Sequence, residues 1–237
     1  MKILSVESSA ASCSVALSDN GVLIGEEFTN VKLTHSETLM PMVKNILDNT
    51  KTDIGTVDVF AVSNGPGSFT GVRIGTATIK AMAHAAGKPC AAVSTLEALA
   101  NNVPYFDGII CPILDARRNQ VYTAEFLGDG TLTRVCEDKA VSLESLLDEL
   151  KNLKKKVLFL GDGVLVYREE ILEYLGDNAK FAKGNNNLNM AGSVAELGYE
   201  AALSGDTISY AELAPNYIRL SQAERERLER KTETKEI

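Results

Sequence analysis

The 237-residue sequence has little of what several common chemistries need. Its only histidines are His35 and His84, and no HxxxH or HExxH pair occurs. A histidine-built zinc site is therefore not expected. A Ser–His–Asp triad would have to use one of the same two residues, and no GxSxG turn supports one. The cysteines, Cys13, Cys90, Cys111 and Cys136, stand apart with no CxxC pair and read as buried small hydrophobes. There is no signal peptide and no long apolar run, so a reduced, cytoplasmic chain with no membrane attachment is expected. Positive charge is also short: the net charge is −8 and the isoelectric point about 5.0. Nucleic acid and anionic membranes need a basic footprint, so the chain alone is a poor binder of either.

What is present suits one large or two small domains, with 45% hydrophobic and 24% charged residues. Residues 2–7 (KILSVE) read as a buried strand, 13–19 (CSVALSD) as a second, and Asp19-Asn20-Gly21 as a hairpin turn into VLIGEEF. Thr34 to Glu37 matches a capping box, which predicts a helix from His35 to about residue 49. Its apolar residues, including Leu39, Met42, Val43 and Ile46, fill an arc of roughly 160°, wider than a surface helix needs. Pro41 lies inside it and predicts a kink or a 3₁₀ start. A central strand is expected at 57–63, a helix at 68–86 stopped by Gly87, and a capped helix after Ser94.

Near residue 105 the pattern restarts. ICPILDARRNQVYTAEFLGDG repeats the order of ILSVESSAASCSVALSDNG: an apolar strand ending on an acid (Glu7 or Asp115), a short turn, a second strand and a glycine turn. Helices are expected near 142–152, 164–175 and 189–204. The expected fold is α/β, two related lobes each with a mixed sheet and flanking helices. The lobes are expected at 1–105 and 106–220, with a charged tail at 221–237 that is a frayed helix or disordered. Two lobes opening on acid-ended hairpins have the plan of the actin-like ATPases (ASKHA type), in which hairpin turns hold phosphates.

The densest feature is SNGPGSFTGVRIG, residues 63–75. A strand, a glycine turn and a helix start make the geometry of an anion site. No GK[ST] follows and GxGxxG is absent, so the turn alone reads first as a device for close packing. On the helix after it, Gly71, Ile74, Gly75, Thr78, Ile79, Met82, Ala85 and Ala86 form a small apolar face expected to lie on a sheet. The opposite face carries Phe69, Arg73, Thr76, Ala77, Lys80 and His84, with few solubilising residues.

With HSETLMP, LDARRNQVY and LAPNYIRL, the glycine segment resembles the TsaB (YeaZ) family over residues 1 to about 220. That resemblance implies a bacterial protein needed to make N6-threonylcarbamoyladenosine at position 37 of tRNAs reading codons that begin with A. It implies a non-catalytic scaffold for a paralogous TsaD-type subunit, which carries the metal, the nucleotide and the chemistry. A small TsaE-type ATPase joins the pair, and alone the chain forms a homodimer through the same two helices. The expected interface is His35, Leu39, Met42, Val43, Ile46, Phe69, Arg73, Thr76, Ala77 and Lys80. A vestigial phosphate site is expected at Glu7, Ser8, Ser9, Gly65, Gly67 and Asp115, with no metal, no resident cofactor and no strong grip on tRNA. The alternatives are an ATP-dependent enzyme using Glu7 and Asp115, and a peptidase, for which no local motif exists.

Overall fold

Continuously buried strands and turn chemistry write the first sheet. In the computed structural model, which describes residues 1–31 and 33–219, Lys2–Glu7 forms β1 and Cys13–Asp19 forms β2. They pair antiparallel, with Leu4 opposite Leu17 and Val6 opposite Val15. Asn20 and Gly21 take φ of 50° and 78°, as a primed two-residue turn requires, and lead into β3, Val22–Thr29. Helix α1, His35–Thr50, starts where the capping box put it: the Glu37 carboxylate accepts from Thr34 N (3.2 Å) and Thr34 Oγ1 (2.6 Å). Pro41 does not divide it. The carbonyl deprived of a donor belongs to exposed Glu37, where water can satisfy it.

Strand β4, Val59–Gly65, lies parallel to β1. Helix α2, Phe69–Ala86, ends on Gly87 in the left-handed region, at φ 65°. Strand β5, Cys90–Ser94, follows, and Ser94 Oγ caps α3, Thr95–Ala100, by accepting from Glu97 N. The first sheet runs β3-β2-β1-β4-β5.

The second half repeats the plan. It contains β6 (Tyr105–Asp115), β7 (Gln120–Thr123), β8 (Phe126–Asp129), β9 (Leu132–Arg134), β10 (Lys139–Ser142), α4 (Leu143–Leu153), β11 (Val157–Leu160), α5 (Gly163–Leu175) and β12 (Ala179–Phe181). Its main path is β10-β7-β6-β11-β12, the same order of hairpin, outer strand and parallel strands as the first. The β8–β9 hairpin is an insertion, so β10 rather than the next strand in sequence takes the outer place. The expected duplication is thus a duplication of topology. Cys13, Cys90 and Cys111 are buried and Cys136 is half-buried.

The expected extent of the second lobe, 106–220, needs correcting at its C-terminal end. Helix α6, Ala191–Ser204, was expected in the second lobe but packs on the first sheet, where Val194 and Ala195 join Ile3, Val59, Ala61 and Ala91. A Cβ at Gly198 would lie 2.7 Å from Ala61 Cβ, so the glycine permits this approach. Residues 208–219 then form a strap on the same lobe. Ile208 and Cys90 exchange backbone hydrogen bonds (2.8 and 2.9 Å), and Leu213 enters the core under α1 and α2. In the reverse direction, Leu96, Leu99 and Ala100 of α3 share a core with Ile110, Leu114 and Phe126 of the second lobe. The chain therefore crosses between lobes twice. The expected tail at 221–237 lies outside the described residues. No helix among the described residues is long and apolar enough to cross a membrane.

Leu213 is 1% exposed. Leu213→Ala should lower the unfolding free energy by about 3 kcal/mol in urea titrations, the cost of a core cavity. A loss no larger than that of an exposed residue would show that the strap is not part of the first core.

Candidate functional site

The glycine turn between β4 and α2 is filled by the protein itself. Ser68 N donates to Ser9 O (2.7 Å), and Ser8 Oγ donates to Gly71 O (2.9 Å). A Cβ at Gly67 would stand 2.4 Å from Ser9 O, at Gly71 2.0 Å from Ser8 O, and at Gly75 2.4 Å from Ser8 Oγ. At Gly65, with φ 126°, it would meet Asn216 O of the strap at 2.5 Å. Each of these glycines thus makes room for another segment of the chain. Close packing, the first of the two readings of this loop, is what the geometry shows. The β1–β2 turn takes the Ser68 N–H that an anion cradle would use, while Phe69 and Thr70 at the start of α2 line the cleft.

Glu7, at the end of β1, is fully buried behind this contact. Its Oε1 accepts from Ser9 N (2.6 Å) and Ser9 Oγ (2.5 Å), and its Oε2 accepts from Ser63 Oγ. Burial raises its pKa above the usual value, and the bonds from Ser63 and Ser9 and the nearby His35 partly offset the rise. A metal or phosphate could reach this carboxylate only if the turn opened. Nε2 of His35 meets Ala10 O at 2.9 Å.

The second hairpin is built differently. Asp115 Oδ1 accepts from Arg117 N (2.8 Å) and Tyr167 Oη (3.2 Å), and its Oδ2 pairs with the Arg117 guanidinium (3.0 Å). Asp115 N donates to Asp162 Oδ1 (2.9 Å). Burial, with the charge of Asp115 adding to it, raises the Asp162 pKa. Arg117, Arg118 and Asn119 take φ of 65°, 55° and 56°, a left-handed run costly for residues with a Cβ. Both hairpins face a cleft of about 1000 Å³. Ser9, Gly67 and Asp115 line it together with Arg117, Asp162 and Tyr217. Glu7, Ser8 and Gly65 are not on its wall. Among the described residues, no three His, Cys, Asp or Glu side chains are grouped to hold a metal ion.

The expected interface residues divide into three groups. Leu39, Met42, Val43 and Ile46 are buried in the chain's own core and offer a partner no surface. The wide arc of α1 is consumed by the sheet and α2. Thr76 is also buried, at 3% exposure, while Ala85 is exposed. The true inner face is Gly71, Val72, Gly75, Thr76, Ile79, Met82 and Ala83, turned from the expected one because Gly71 and Gly75 draw the helix onto Ser8. Phe69, Arg73, Lys80 and His84 do share a face, and the strap lies along it. Tyr217 stacks on Phe69 and Tyr210 on His84, with centroids 4.7 and 4.4 Å apart. His35 is half-buried and Ala77 exposed. Leu33 and Met40, at 58% and 51%, are exposed near or on α1, and Ala77 and Ala81 are exposed on α2. The particular strap contacts, Tyr217 on Phe69, Tyr210 on His84 and Leu213 in the core, are what sequence reasoning missed. Their only signal is two tyrosines and a leucine in a segment that follows no helical or strand period.

Two acid-ended hairpins on duplicated sheets, facing one cleft, define the two-lobed actin-like ATPase fold. A ROK hexokinase from Thermus thermophilus shares it, with TM-score 0.50 and 10% identity over 86% of this chain and all of that one. The family model described as TsaD: tRNA N6-adenosine threonylcarbamoyltransferase matches residues 29–227. A Bacillus subtilis protein named tRNA threonylcarbamoyladenosine biosynthesis protein TsaB is 36% identical over 225 residues, covering 94% of this chain and 96% of the relative. A solved Pseudomonas aeruginosa protein, described as similar to peptidase YeaZ, has TM-score 0.79 and 25% identity, over 92% of this chain and 99% of that one. The chain belongs to the TsaB (YeaZ) family, within the wider group that the TsaD model describes.

Three outcomes test this geometry. Gly71→Ala should cost about 3 kcal/mol, because backbone rather than a movable side chain blocks the methyl; calorimetric melting would read it. Gly87→Ala, with nothing within 4 Å, should cost only the left-handed backbone penalty of about 1 kcal/mol. For Glu7, the raised folded pKa means that the native state holds the proton more tightly than the unfolded chain. Its stabilising contribution is full below the ordinary value of 4.5 and is lost as pH rises through the folded pKa. The stability of the wild type relative to Glu7→Gln should therefore fall with rising pH in a series of urea titrations. A wild type that gains stability relative to Glu7→Gln as pH rises contradicts this assignment.

Proposed function

We propose that the chain is a non-catalytic scaffold or activator subunit for threonylcarbamoylation of adenosine 37 in tRNAs reading codons that begin with A. It acts by binding a TsaD-type catalytic subunit, on which the metal and ATP reside. The observation that carries this reading is the sealing of Glu7. The acid that would serve a metal in an actin-like ATPase is enclosed by Ser9 and Ser63 behind a turn locked to α2. The named role of the Bacillus relative supports the pathway. The partner surface is the open strip of α1 and α2: Met40, Ala77 and Ala81, with half-buried Ile74 and neighbouring Leu33. Small and apolar side chains there allow helices of another chain to approach closely. The same strip serves a homodimer when the partner is missing, and a TsaE-type ATPase joins the assembled pair. A net charge of −8 fits a subunit that leaves tRNA to its partners.

One observation favours a second reading, residual nucleotide contact. The cleft keeps Asp115 and the exposed Arg117 on its wall, and the second hairpin is not sealed as the first is. Reconstitution separates the two. With tRNA, threonine, bicarbonate, ATP, magnesium and the other pathway proteins, modified adenosine should form only when the chain is added. Glu7→Gln should support modification near the wild-type level, and Ala77→Arg should abolish it together with complex formation. Modification without the chain would end the scaffold reading. A Glu7→Gln protein that assembles but gives no product would make the ATPase reading the better one.

A further inference from the structure

Helix α2 carries three cationic or basic side chains toward the strap, and the strap engages each differently. Lys80 Nζ donates to the carbonyls of Ala211 and Leu213, both at 3.2 Å. His84 is covered by Tyr210. Arg73 is held from two sides: its guanidinium carbon sits 3.7 Å from the Phe69 centroid, and its Nε donates to Tyr217 Oη at 2.6 Å. Phe69 and Tyr217 stack on each other, so the two groups that hold Arg73 also support one another. The four N–H groups on Nη1 and Nη2 make no hydrogen bond or ion pair among the described residues, and Arg73 is exposed.

We propose that Arg73, clamped by Phe69 and Tyr217, is the charged anchor of the α1–α2 face and takes a carboxylate of the partner subunit. This rests on the reading that a partner docks on that face. An arginine usually loses rotamer freedom when it binds, and here much of that freedom is already gone in the unbound chain. The free edge of the guanidinium is a two-donor fork that matches a carboxylate. A nucleic-acid track would need several cations in a row. Here Lys80 is engaged by carbonyls, and exposed Thr70, Ala77 and Ala81 beside Arg73 carry no charge. A single arginine supported by aromatic rings beside small residues has the make-up of a protein-interface hot spot. Tyr217 is then a positioning residue: it aims the fork and does not touch the partner's acid.

The test titrates the TsaD-type subunit against variants of the full chain by calorimetry, at low and high salt. Arg73→Ala should weaken binding on the order of thirtyfold. Arg73→Lys should recover only part of this, because an ammonium lacks the fork. Tyr217→Phe keeps the ring stack and removes one hydrogen bond. It should weaken binding about threefold to tenfold with an unchanged melting temperature. The salt dependence seen with the wild type should flatten in Arg73→Ala. If Arg73→Ala binds as the wild type while Ala77→Arg does not bind, the anchor is overturned and the docking face stands. If Ala77→Arg binds as the wild type, the docking face itself is wrong, and the anchor with it. If Arg73→Ala spares subunit binding but weakens tRNA retention by the assembled complex, the anion is a phosphate and the carboxylate proposal fails.

Discussion

The contact of the Ser8–Ser9 turn with the start of α2 governs the first lobe. Gly67 just before α2, and Gly71 and Gly75 one helical turn apart within it, lack the Cβ atoms that would meet Ser8 and Ser9 of the turn. The backbone bond from Ser68 N to Ser9 O and the side-chain bond from Ser8 to Gly71 O then lock it. A turn, a strand end and a helix are joined there at van der Waals distance. The position of α2, the burial of Glu7 and the course of the strap all follow from that closeness.

Because the turn is locked, the two hairpins of one duplicated plan have diverged in chemistry. In the first, the strand-end acid is withdrawn from the cleft and saturated by two serines. In the second, Asp115 stays on the cleft wall, paired with an exposed arginine in a left-handed turn. The same topological position carries a structural carboxylate in one lobe and an accessible one in the other. The difference comes from what packs behind each hairpin, not from the type of residue at the strand end.

The strap is the second consequence. With α2 drawn onto the sheet, its outer flank offers Phe69, Arg73, Lys80 and His84 to whatever crosses it, and the chain's own residues 210–217 do so. This ties Lys80 to strap carbonyls and covers His84, and leaves small and apolar surface with one guanidinium beside it. Arg219 continues the path to the second lobe, donating to Ala116 O at 2.9 Å. The strap therefore touches the α2 face, the glycine loop and the second hairpin in succession.

Local signals were enough for much of the fold. The buried run of β1, the Asn20-Gly21 turn, the Thr34 capping box and the Gly87 stop act within a few residues, and each appears where its chemistry puts it. The repeat of strand, turn and strand foretold a duplicated topology, and the glycine segment and LDARRNQVY pointed to the family. Periodicity, however, says only that a face is apolar and not what covers it. Thus Leu39, Met42, Val43 and Ile46 looked like surplus surface and are core. Thr76 changed faces because two glycines set the roll of α2. Glu7 was legible as an acid at a strand end, but its isolation was not, since Ser63 is 56 residues away. The return of α6 and the strap to the first lobe depends on contacts between residues more than a hundred positions apart, and such contacts leave no period in the chain.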